Sequence, residues 1–347
     1  VCGLGLGVLQ KNLKFGVTIG VLFLVVLLLP KWQRDHHKLG VFRIKNPTEN
    51  HFSGSLLNLN NAVYDRKKAI FFSDGPNSTV TIFEDQKVAS NQNDEESSLP
   101  DSINTPTESF YPSLSVIMNG KSDGNTRGDF HTMYLTALIP YLEAPSSSKL
   151  DSAVIGFGLG VTAGTFAKTN DIKKVDVVEI SGALLDQYKL LDPGNFNLSQ
   201  SPKLNLFKGD AFRFFTRSKT NYDVIVSEPS NPWVVGVENL FSLEFYQIIK
   251  SQLNKGGVFA QWINAYDTTP ELIKLIFANL AESFTHVRSY YLGSDVLLVA
   301  KEGPFQDDSY AKRFEEPFLR RLSASLGLSS LDHLRSLQLS NERGSLY

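Results

Sequence analysis

The stretch Val154-Ile-Gly-Phe-Gly-Leu-Gly160 marks the point where an apolar strand turns into a helix that starts near Val161. Glycines suit such a turn because a side chain there would block a ligand from the backbone N–H groups at the helix N-terminus. The dinucleotide fingerprint G-x-G-x-x-G requires glycine or alanine at position 161, which is valine in this chain. The spacing therefore favours a nucleoside of the S-adenosyl type over NAD. The candidate cofactor-binding residues of this turn are Gly156, Gly158 and Gly160.

Acidic residues follow the next two predicted strands. Glu179 ends the apolar run at 175–178, about 20 residues after the glycine turn, where a carboxylate can accept hydrogen bonds from both ribose hydroxyls. The other interpretation of Glu179 is a surface residue at a strand end. Asp210 follows Gly209 and a strand at 203–207, and it can contact the adenine amino group, cap the next helix, or do both. Glu179, Gly209 and Asp210 thus join the candidate nucleoside site.

The stretch Tyr222-Asp-Val-Ile-Val-Ser-Glu-Pro-Ser-Asn-Pro-Trp233 ends a fourth strand in a carboxylate, Glu228. Open α/β sheets bind their ligands at the carboxyl ends of the strands, which places this acid beside the glycine turn. We interpret Glu228 as the candidate catalytic residue, with a structural acid at a strand end as the alternative. The loop that follows predicts a gate over the site, since its proline and glycine residues can act as hinges. The candidate substrate or gate residues are Ser227, Asn231, Trp233 and Gly236.

Beyond these motifs, residues 114–300 share the order and spacing of a known family. After the glycine turn, the Val-Val-Glu-Ile strand and the Gly-Asp pair come Asn239-Leu-Phe-Ser-Leu-Glu-Phe-Tyr246 and Lys255-Gly-Gly-Val-Phe-Ala-Gln261. This arrangement resembles the spermidine synthase (polyamine aminopropyltransferase) family. The acidic loop at 227–233, with an apolar segment upstream, is most similar to the membrane-attached spermidine synthase-like branch.

The resemblance implies transfer of an aminopropyl group from decarboxylated S-adenosylmethionine to an amine acceptor such as putrescine. In that reaction a neutral amine attacks the carbon next to a sulfonium, and the neutral thioether that leaves needs no proton. A nearby carboxylate should therefore orient the amine and take its proton. By resemblance, Glu228 occupies the position of the family's catalytic acid, which is usually aspartate. The expected ligands are a small amine and S-adenosylmethionine, decarboxylated or intact.

Several positions depart from the family pattern. Leu159 stands where the family's glycine loop has an acid that holds the amino group of the donor, and Asn231 replaces a second acid that helps to hold the polyamine. Thr132 and Met133 replace a substrate-binding tyrosine and glutamine. The loss of two acids removes much of the attraction for a dication. The nucleoside half of the site therefore matches the family better than the amine half does.

Two alternatives to aminopropyl transfer remain open from the sequence. Asn231-Pro232-Trp233 loosely resembles the Asn-Pro-Pro-aromatic motif of amino-group methyltransferases, in which the amide oxygen orients the nitrogen. An S-adenosylmethionine-dependent methyltransferase is therefore one alternative, although a tryptophan after a proline also fits a loop anchor. The other alternative is a non-catalytic nucleoside-binding domain, in which Leu159 and Asn231 mark lost chemistry. The retention of Glu228 favours an enzyme.

The composition narrows the classes of partner. A net charge of −2 over 347 residues predicts no nucleic-acid partner. The single cysteine, Cys2, cannot form an internal disulfide. No Cys/His cluster has the spacing of a metal site, so we expect no metal. The sequence leaves a homodimer open.

The N-terminus predicts attachment to a membrane. Residues 15–29 are almost wholly apolar, and lysine or arginine residues flank them on both sides. The run is short for a spanning helix, which needs about 17–25 residues, but the small-residue cleavage site of a signal peptide does not follow it. Residues 1–9 are also apolar, and we interpret 1–38 as a fragment of a longer membrane region. The expected localisation is a multi-pass membrane protein whose catalytic domain faces the cytosol.

Hydrophobic patterning divides the rest of the chain into three parts. A small β domain at 39–148 carries a polar, acidic insertion at 85–110, which we expect to be disordered. From 149 to 303, short apolar strands alternate with helices, which predicts a mostly parallel sheet with helices on both faces. A tight link at 293–295 makes one of the last two strands antiparallel, and 304–347 is a helical extension. The expected fold is α/β, of the Rossmann-like S-adenosylmethionine-dependent type, preceded by a small antiparallel β domain and a transmembrane segment.

Overall fold

The computed structural model describes residues 67–75, 78–85, 113–147, 149–232, 234, 236–266, 268–305 and 310–340. The predictions for the membrane segment 1–38, for most of the insertion at 85–110 and for Trp233 lie outside these residues. Within them the chain forms two β-sheets and a set of helices. The division of the chain into domains at 38, 148 and 303 stays a prediction.

A small antiparallel sheet precedes the larger one, as the sequence predicts. Its strands follow chain order, with β1 at Lys67–Asp74, β2 at Thr79–Asp85, β3 at Leu114–Met118 and β4 at Lys121–Asn125. Asn119 and Gly120 join β3 to β4 with φ angles of 51° and 75°. Asparagine and glycine tolerate this left-handed backbone, which matches the twist of a two-residue hairpin. The tight hairpin fixes the position of β4, whose residues reach the candidate site described below.

The larger sheet has eight strands within the described residues, in the order β12-β10-β11-β9-β8-β5-β6-β7. They are β5 Leu150–Ile155, β6 Ile172–Glu179, β7 Leu204–Lys208, β8 Tyr222–Ser227, β9 Leu253–Asn264, β10 His286–Tyr291, β11 Asp295–Lys301 and β12 Gln338–Ser340. The strands from β9 to β7 are parallel, and β11, β10 and β12 extend the sheet in antiparallel pairs. The predicted mostly parallel sheet and its antiparallel strand are both confirmed.

Helices connect the strands. In the described part of the chain the α-helices are α1 Phe130–Glu143, α2 Val161–Lys168, α3 Gly182–Leu185, α4 Ala211–Arg217, α5 Leu243–Ser251, α6 Pro270–Ser283, α7 Tyr310–Phe314, α8 Pro317–Ser325 and α9 Leu331–Ser336. The sequence predicts one helix over 240–253, but a short 3-10 helix at Glu238–Phe241 precedes α5. The reason is Ser242, whose hydroxyl accepts a hydrogen bond from Phe245 N and so caps a new helix.

Alternation along the strands gives the sheet an apolar layer on each face. Val154 and Val177 contribute to a core that includes residues of α1 and α2. Their neighbours Ile155 and Val178 contribute to a second core that includes residues of α4, α5 and α6. Successive side chains of a strand point to opposite faces, so each central strand is buried on both sides. Burial on both faces explains why these strands are continuous apolar runs.

The predicted membrane localisation is contradicted by the structure. Among the helices of the described residues, each is too short or too polar to cross a membrane. The prediction of a multi-pass membrane protein is therefore wrong for this part of the chain. The apolar segment that prompted the prediction, within 1–38, lies outside the described residues.

Tyr222, at the start of β8, gives a test of this packing. Its hydroxyl donates to Asp176 Oδ2 on β6 at 2.9 Å, and the two residues are 0% and 3% exposed. We expect Tyr222→Phe to lower the free energy of unfolding by about 1.5 kcal/mol, because a buried carboxylate loses a donor. Urea denaturation measures this change. Tyr291→Phe, at a tyrosine that is 49% exposed, is the matched control, and an equal effect in both variants would contradict the explanation.

Candidate active site

The order of the parallel strands reverses between β5 and β8. From β5 the chain continues on one side to β6 and β7, and it then returns on the other side of β5 to form β8 and β9. Open α/β sheets bind ligands in the crevice at such a point. A cavity of about 250 Å³ lies there, and Gly156, Glu179 and Glu228 all line it. The structure therefore brings the glycine turn and both predicted acids to one site.

The glycine turn lies between the end of β8 and the β3–β4 hairpin. Gly156, Gly158 and Gly160 have φ angles of 90°, 49° and 80°, which side chains rarely adopt. A Cβ on Gly156 would lie 2.5 Å from the carbonyl oxygen of Glu228, and one on Gly158 would lie 3.2 Å from that of Asp123. Gly156 and Gly158 line the cavity, whereas Gly160 lies outside its lining and precedes α2.

Glu179 is held by the backbone around it. Its Oε2 accepts a hydrogen bond from Phe157 N at 2.9 Å, and its Oε1 accepts one from Ser181 N at 2.6 Å. The residue is 5% exposed, and burial raises the pKa of its carboxyl while these two donors oppose the rise. A third backbone hydrogen bond comes from Ile180, and a carboxylate has about four lone-pair sites in all. The fixed carboxylate can therefore still accept from hydroxyl groups of a ligand.

Gly209 and Asp210 line the cavity beyond the end of β7. Gly209 N donates to Glu179 O at 2.9 Å, which ties this turn to the end of β6. Asp210 Oδ1 accepts a hydrogen bond from Arg213 N at 2.8 Å and so caps α4. Capping was one of the two functions that the sequence allowed for Asp210. Asp210 still lines the cavity, so its contact with an adenine amino group stays a prediction.

Glu228 follows β8, where its backbone N donates to Ile155 O at 2.9 Å. Burial raises the pKa of its carboxyl from 4.5 to about 8, although a hydrogen bond with Thr162 opposes the rise. The Thr162 hydroxyl lies 2.8 Å from Glu228 Oε1 and 3.0 Å from Met133 O. A hydroxyl has one hydrogen to donate, so a protonated Glu228 can donate to Thr162 while Thr162 donates to Met133. Sequence reasoning missed Thr162.

The loop after β8 departs in part from the prediction. Ser227 and Asn231 are both 0% exposed and lie outside the lining of the cavity. Asn231 Oδ1 instead accepts a hydrogen bond from Lys121 Nζ of the hairpin. Gly236 does line the cavity, as does Ser230, which sequence reasoning did not select. The contact of Ser227 and Asn231 with a substrate therefore stays a prediction.

The opposite wall of the cavity comes from segments that sequence reasoning largely missed. The charged and aromatic residues among them are Lys121, Asp123, Asp129, Trp262, Tyr266 and Asp295. Ser230 Oγ donates to Asp123 Oδ2 at 2.9 Å, which joins the hairpin to the loop after β8. The signal that could have found Asp129 is its place within Gly128-Asp-Phe-His-Thr-Met133, the segment that contains Thr132 and Met133, and Asp123 lies five residues before that segment. That segment matched the family's substrate-binding stretch.

Positions that depart from the family pattern take different places in the structure. Leu159 is 0% exposed and packs in the hydrophobic core. A packing residue therefore stands where the family pattern has an acid. Thr132 and Met133 line the cavity. The predicted substrate segment is therefore brought to the site, with a hydroxyl and a thioether in place of the family's tyrosine and glutamine.

Comparison with known proteins identifies a domain within this chain. Residues 131–294 match the family model described as the spermine/spermidine synthase domain. The polyamine aminopropyltransferase of Bacillus cereus is 28% identical over 184 residues, which are 53% of this chain and 65% of that protein. The spermidine synthase of Dictyostelium discoideum is 26% identical over 187 residues, which are 52% of this chain and 64% of that protein. The chain thus matches somewhat under two thirds of the length of these curated relatives.

A solved structure shows the same fold. It is a spermidine synthase in complex with the transition state analogue AdoDATO, with a TM-score of 0.55 and 18% identity, covering 75% of this chain and 89% of that chain. The Rossmann-like α/β fold with a preceding antiparallel sheet is therefore confirmed. The resemblance to the spermidine synthase family is confirmed as well. These matches give no support to the predicted membrane-attached branch.

The close approach at Gly156 generates one prediction. We expect Gly156→Ala to lower the melting temperature and to abolish nucleoside binding, because the new Cβ meets the Glu228 carbonyl oxygen at 2.5 Å. The matched control is Gly327→Ala, which also has a positive φ, of 77°, but has nothing within 4 Å of a new Cβ. The free energy of unfolding of the control should fall only by the cost of backbone strain, about 1 kcal/mol. Equal losses of stability in the two variants would show that the close approach is unimportant.

The raised pKa of Glu228 generates a second prediction. A carboxyl whose pKa rises from 4.5 to about 8 on folding loses stability as the pH rises between these values, since the folded state then holds the extra proton. Glu228→Gln removes this loss. We expect the variant to unfold with nearly the same free energy as the unsubstituted protein near pH 4.5, and to be more stable near pH 8 by about 4 kcal/mol.

Urea denaturation across this pH range measures the difference. Glu282→Gln is the control, because Glu282 is exposed and lies on α6 away from the cavity. A constant difference between the Glu228 variant and the unsubstituted protein at every pH would contradict a raised pKa.

Proposed function

We propose that this chain, whose residues 131–294 form a spermine/spermidine synthase domain, transfers an aminopropyl group from decarboxylated S-adenosylmethionine to an amine acceptor such as putrescine. The observation that carries the proposal is the Glu228 carboxyl, which lies at the switch point of the sheet in the same cavity as Glu179. A proton acceptor beside a nucleoside pocket is the arrangement that amine attack on a sulfonium nucleoside requires.

The nucleoside half of the site is assigned to the ends of β5, β6 and β7. Gly156 and Gly158 let the ligand approach the backbone, since neither has a side chain to fill the cavity. Glu179 accepts a hydrogen bond from the ribose hydroxyls with the lone-pair capacity that its backbone donors leave. Asp210 contacts the adenine amino group while it caps α4. Gly160 acts indirectly, by allowing the turn into α2.

The amine half of the site centres on Glu228. The donor, when bound, supplies a carbon next to a sulfonium and a neutral thioether as the leaving group. Glu228 orients the amine and takes its proton as the new C–N bond forms and the C–S bond breaks. A pKa of about 8 suits this function, because a base is most effective when its pKa lies near the working pH. Thr162 keeps the carboxyl in place through its hydrogen bond to Oε1.

We propose that the loop at 230–239 acts as a gate over the cavity, because part of it lines the cavity. Ser230 and Gly236 line the cavity, and Gly236 has a φ of 91° with open space around a new Cβ. Glycine with a positive φ at the edge of a cavity can serve as a hinge for closure over a ligand. Closure would exclude water from the reacting atoms.

The decisive variant is Glu228→Gln. We expect turnover to fall at least about a hundredfold, because an amide cannot take the proton, while nucleoside affinity stays within about twofold. Turnover is measured by mass analysis of the nucleoside product, with a mixed pool of amines and either decarboxylated or intact S-adenosylmethionine. Nucleoside affinity is measured by calorimetry.

The product distinguishes the reactions. Methylthioadenosine that forms from the decarboxylated donor and depends on added amine supports the proposal. S-adenosylhomocysteine from the intact donor would mean methyl transfer instead. Near-normal turnover in Glu228→Gln would remove Glu228 from the chemistry, and Glu282→Gln, at an exposed residue, should leave turnover unchanged.

A further inference from the structure

A second cavity lies near the C-terminal end of helix α1. Its volume is about 340 Å³, which falls within the range of about 300–1,000 Å³ that is usual for small-molecule sites. Met133, near the start of α1, lines the candidate active site, whereas Ile139 and Leu142, near the end of the helix, line the second cavity. The two cavities have no described lining residue in common. A ligand in the second cavity would therefore occupy a site of its own.

The wall of the second cavity combines apolar side chains with positive charge. Its buried apolar residues include Ile139 and Leu142 of α1 and Leu334 of α9. Arg288 of β10 and Arg335 of α9 line it as well. Among the lining residues that the structure describes, these two arginines are the only charged ones. The chemistry of the wall therefore suits an anion that carries an apolar group.

Contacts on several sides hold Arg288 in place. Its Nη1 donates to Glu143 Oε1 at 3.1 Å and to the Tyr310 hydroxyl at 3.3 Å. Its Cζ also lies 4.2 Å from the centre of the Phe305 ring. A guanidinium that is already fixed loses little conformational entropy when an anion binds, and its planar fork matches the geometry of a carboxylate.

The charge beside this arginine is positive. Lys301 is buried, and its Nζ donates to Glu143 O at 3.0 Å and lies 3.9 Å from Glu143 Oε2. Glu143 is thus shared between two cations, Arg288 and Lys301. Burial lowers the pKa of Lys301, Glu143 opposes this effect, and the positive charges of Arg288 and Arg313 lower the pKa further. An anion in the cavity would relieve the repulsion among these cations.

Arg335 is a second guanidinium that a ligand can recruit. Its side chain is 51% exposed, and its Nη1 lies 3.1 Å from Oδ1 of Asp332, which is 85% exposed and three residues earlier on α9. An exposed ion pair of this kind contributes little to stability. The guanidinium can therefore leave Asp332 for a ligand at small cost, and a carboxylate in the cavity would then meet an arginine from each of two elements.

We propose that the second cavity binds a small carboxylate with an apolar tail, with the carboxylate held by Arg288 and Arg335 and the tail packed against Leu142 and Leu334. The apolar wall favours such a ligand over inorganic phosphate, because phosphate has no apolar surface to place against it. The site lies outside the candidate active site, so it does not depend on the proposed aminopropyl transfer.

The test uses the purified full chain and three probes, which are octanoate, octan-1-ol and acetate. Octanoate has both the charge and the tail, octanol lacks the charge, and acetate lacks the tail. Calorimetry at neutral pH should show saturable binding of octanoate, about tenfold or more tightly than of either other probe. Arg335→Gln should weaken octanoate about tenfold and leave the weaker binding of octanol unchanged.

A matched control and a second variant accompany this test. Arg320→Gln, at an exposed arginine of α8 that pairs with Glu315 at 2.8 Å, should not change the affinity for any probe. Arg288→Lys keeps a positive charge beside Glu143 but loses the fork, so it should also weaken octanoate.

Several outcomes would overturn the site. They are the absence of saturable octanoate binding, equal affinities for octanoate and octanol, and an unchanged affinity for octanoate in both arginine variants. Binding of inorganic phosphate as tight as that of octanoate would show that the tail has no place in the cavity. Competition between octanoate and methylthioadenosine would place octanoate in the candidate active site instead.

Discussion

The close approach of the ends of β5 and β8 determines where the cavity lies. Gly156 N donates to Val178 O and Glu228 N donates to Ile155 O, each at 2.9 Å, so hydrogen bonding between neighbouring strands continues one residue beyond the strands. Only a glycine fits at this point, because a Cβ on Gly156 would lie 2.5 Å from the Glu228 carbonyl oxygen. After it the two chain segments diverge, one into α2 and the other into the acidic loop. The nucleoside site and the candidate base are adjacent because these two strand ends touch.

The rest of the cavity depends on contacts between segments far apart in the sequence. Ser230 reaches Asp123 across 107 residues, and Asn231 reaches Lys121 across 110. These hydrogen bonds hold the β3–β4 hairpin against the loop after β8, and the hairpin backbone in turn approaches Gly158. The small antiparallel sheet therefore does more than precede the larger one. Its strand β4 supplies part of the wall of the cavity at the carboxyl ends of the parallel strands.

The sequence alone predicts those features that depend on residues close together in the chain. The glycine turn, Glu179 and Asp210 each lie at the end of their own strand. The sequence also predicts a helix over 270–283, and α6 has these bounds because the Thr269 hydroxyl accepts a hydrogen bond from Leu272 N. Asp295 shows the opposite case. In the sequence it is part of a tight turn, and only the pairing of β11 with β9, which sets Asp295 opposite Asn264, brings it to the cavity. The burial of Asn231 and its hydrogen bond with Lys121 depend in the same way on a distant hairpin, which the sequence of the loop does not show.

The charges of the cavity connect its stability to its ligands. Burial raises the pKa of Glu179, Glu228 and Asp295, so each carboxylate is held in a place where its charged form is disfavoured. Neutral residues at these positions would avoid the free-energy cost of burying a charge. Lys121 is the only lysine or arginine that the structure describes on the cavity lining, and its ammonium donates a hydrogen bond to Asn231. A ligand that carries positive charge gains most from such a site, since its binding stabilises the ionised carboxylates and the folded state together. A sulfonium donor and an ammonium acceptor both meet this requirement, and neither a neutral nor an anionic pair of ligands would.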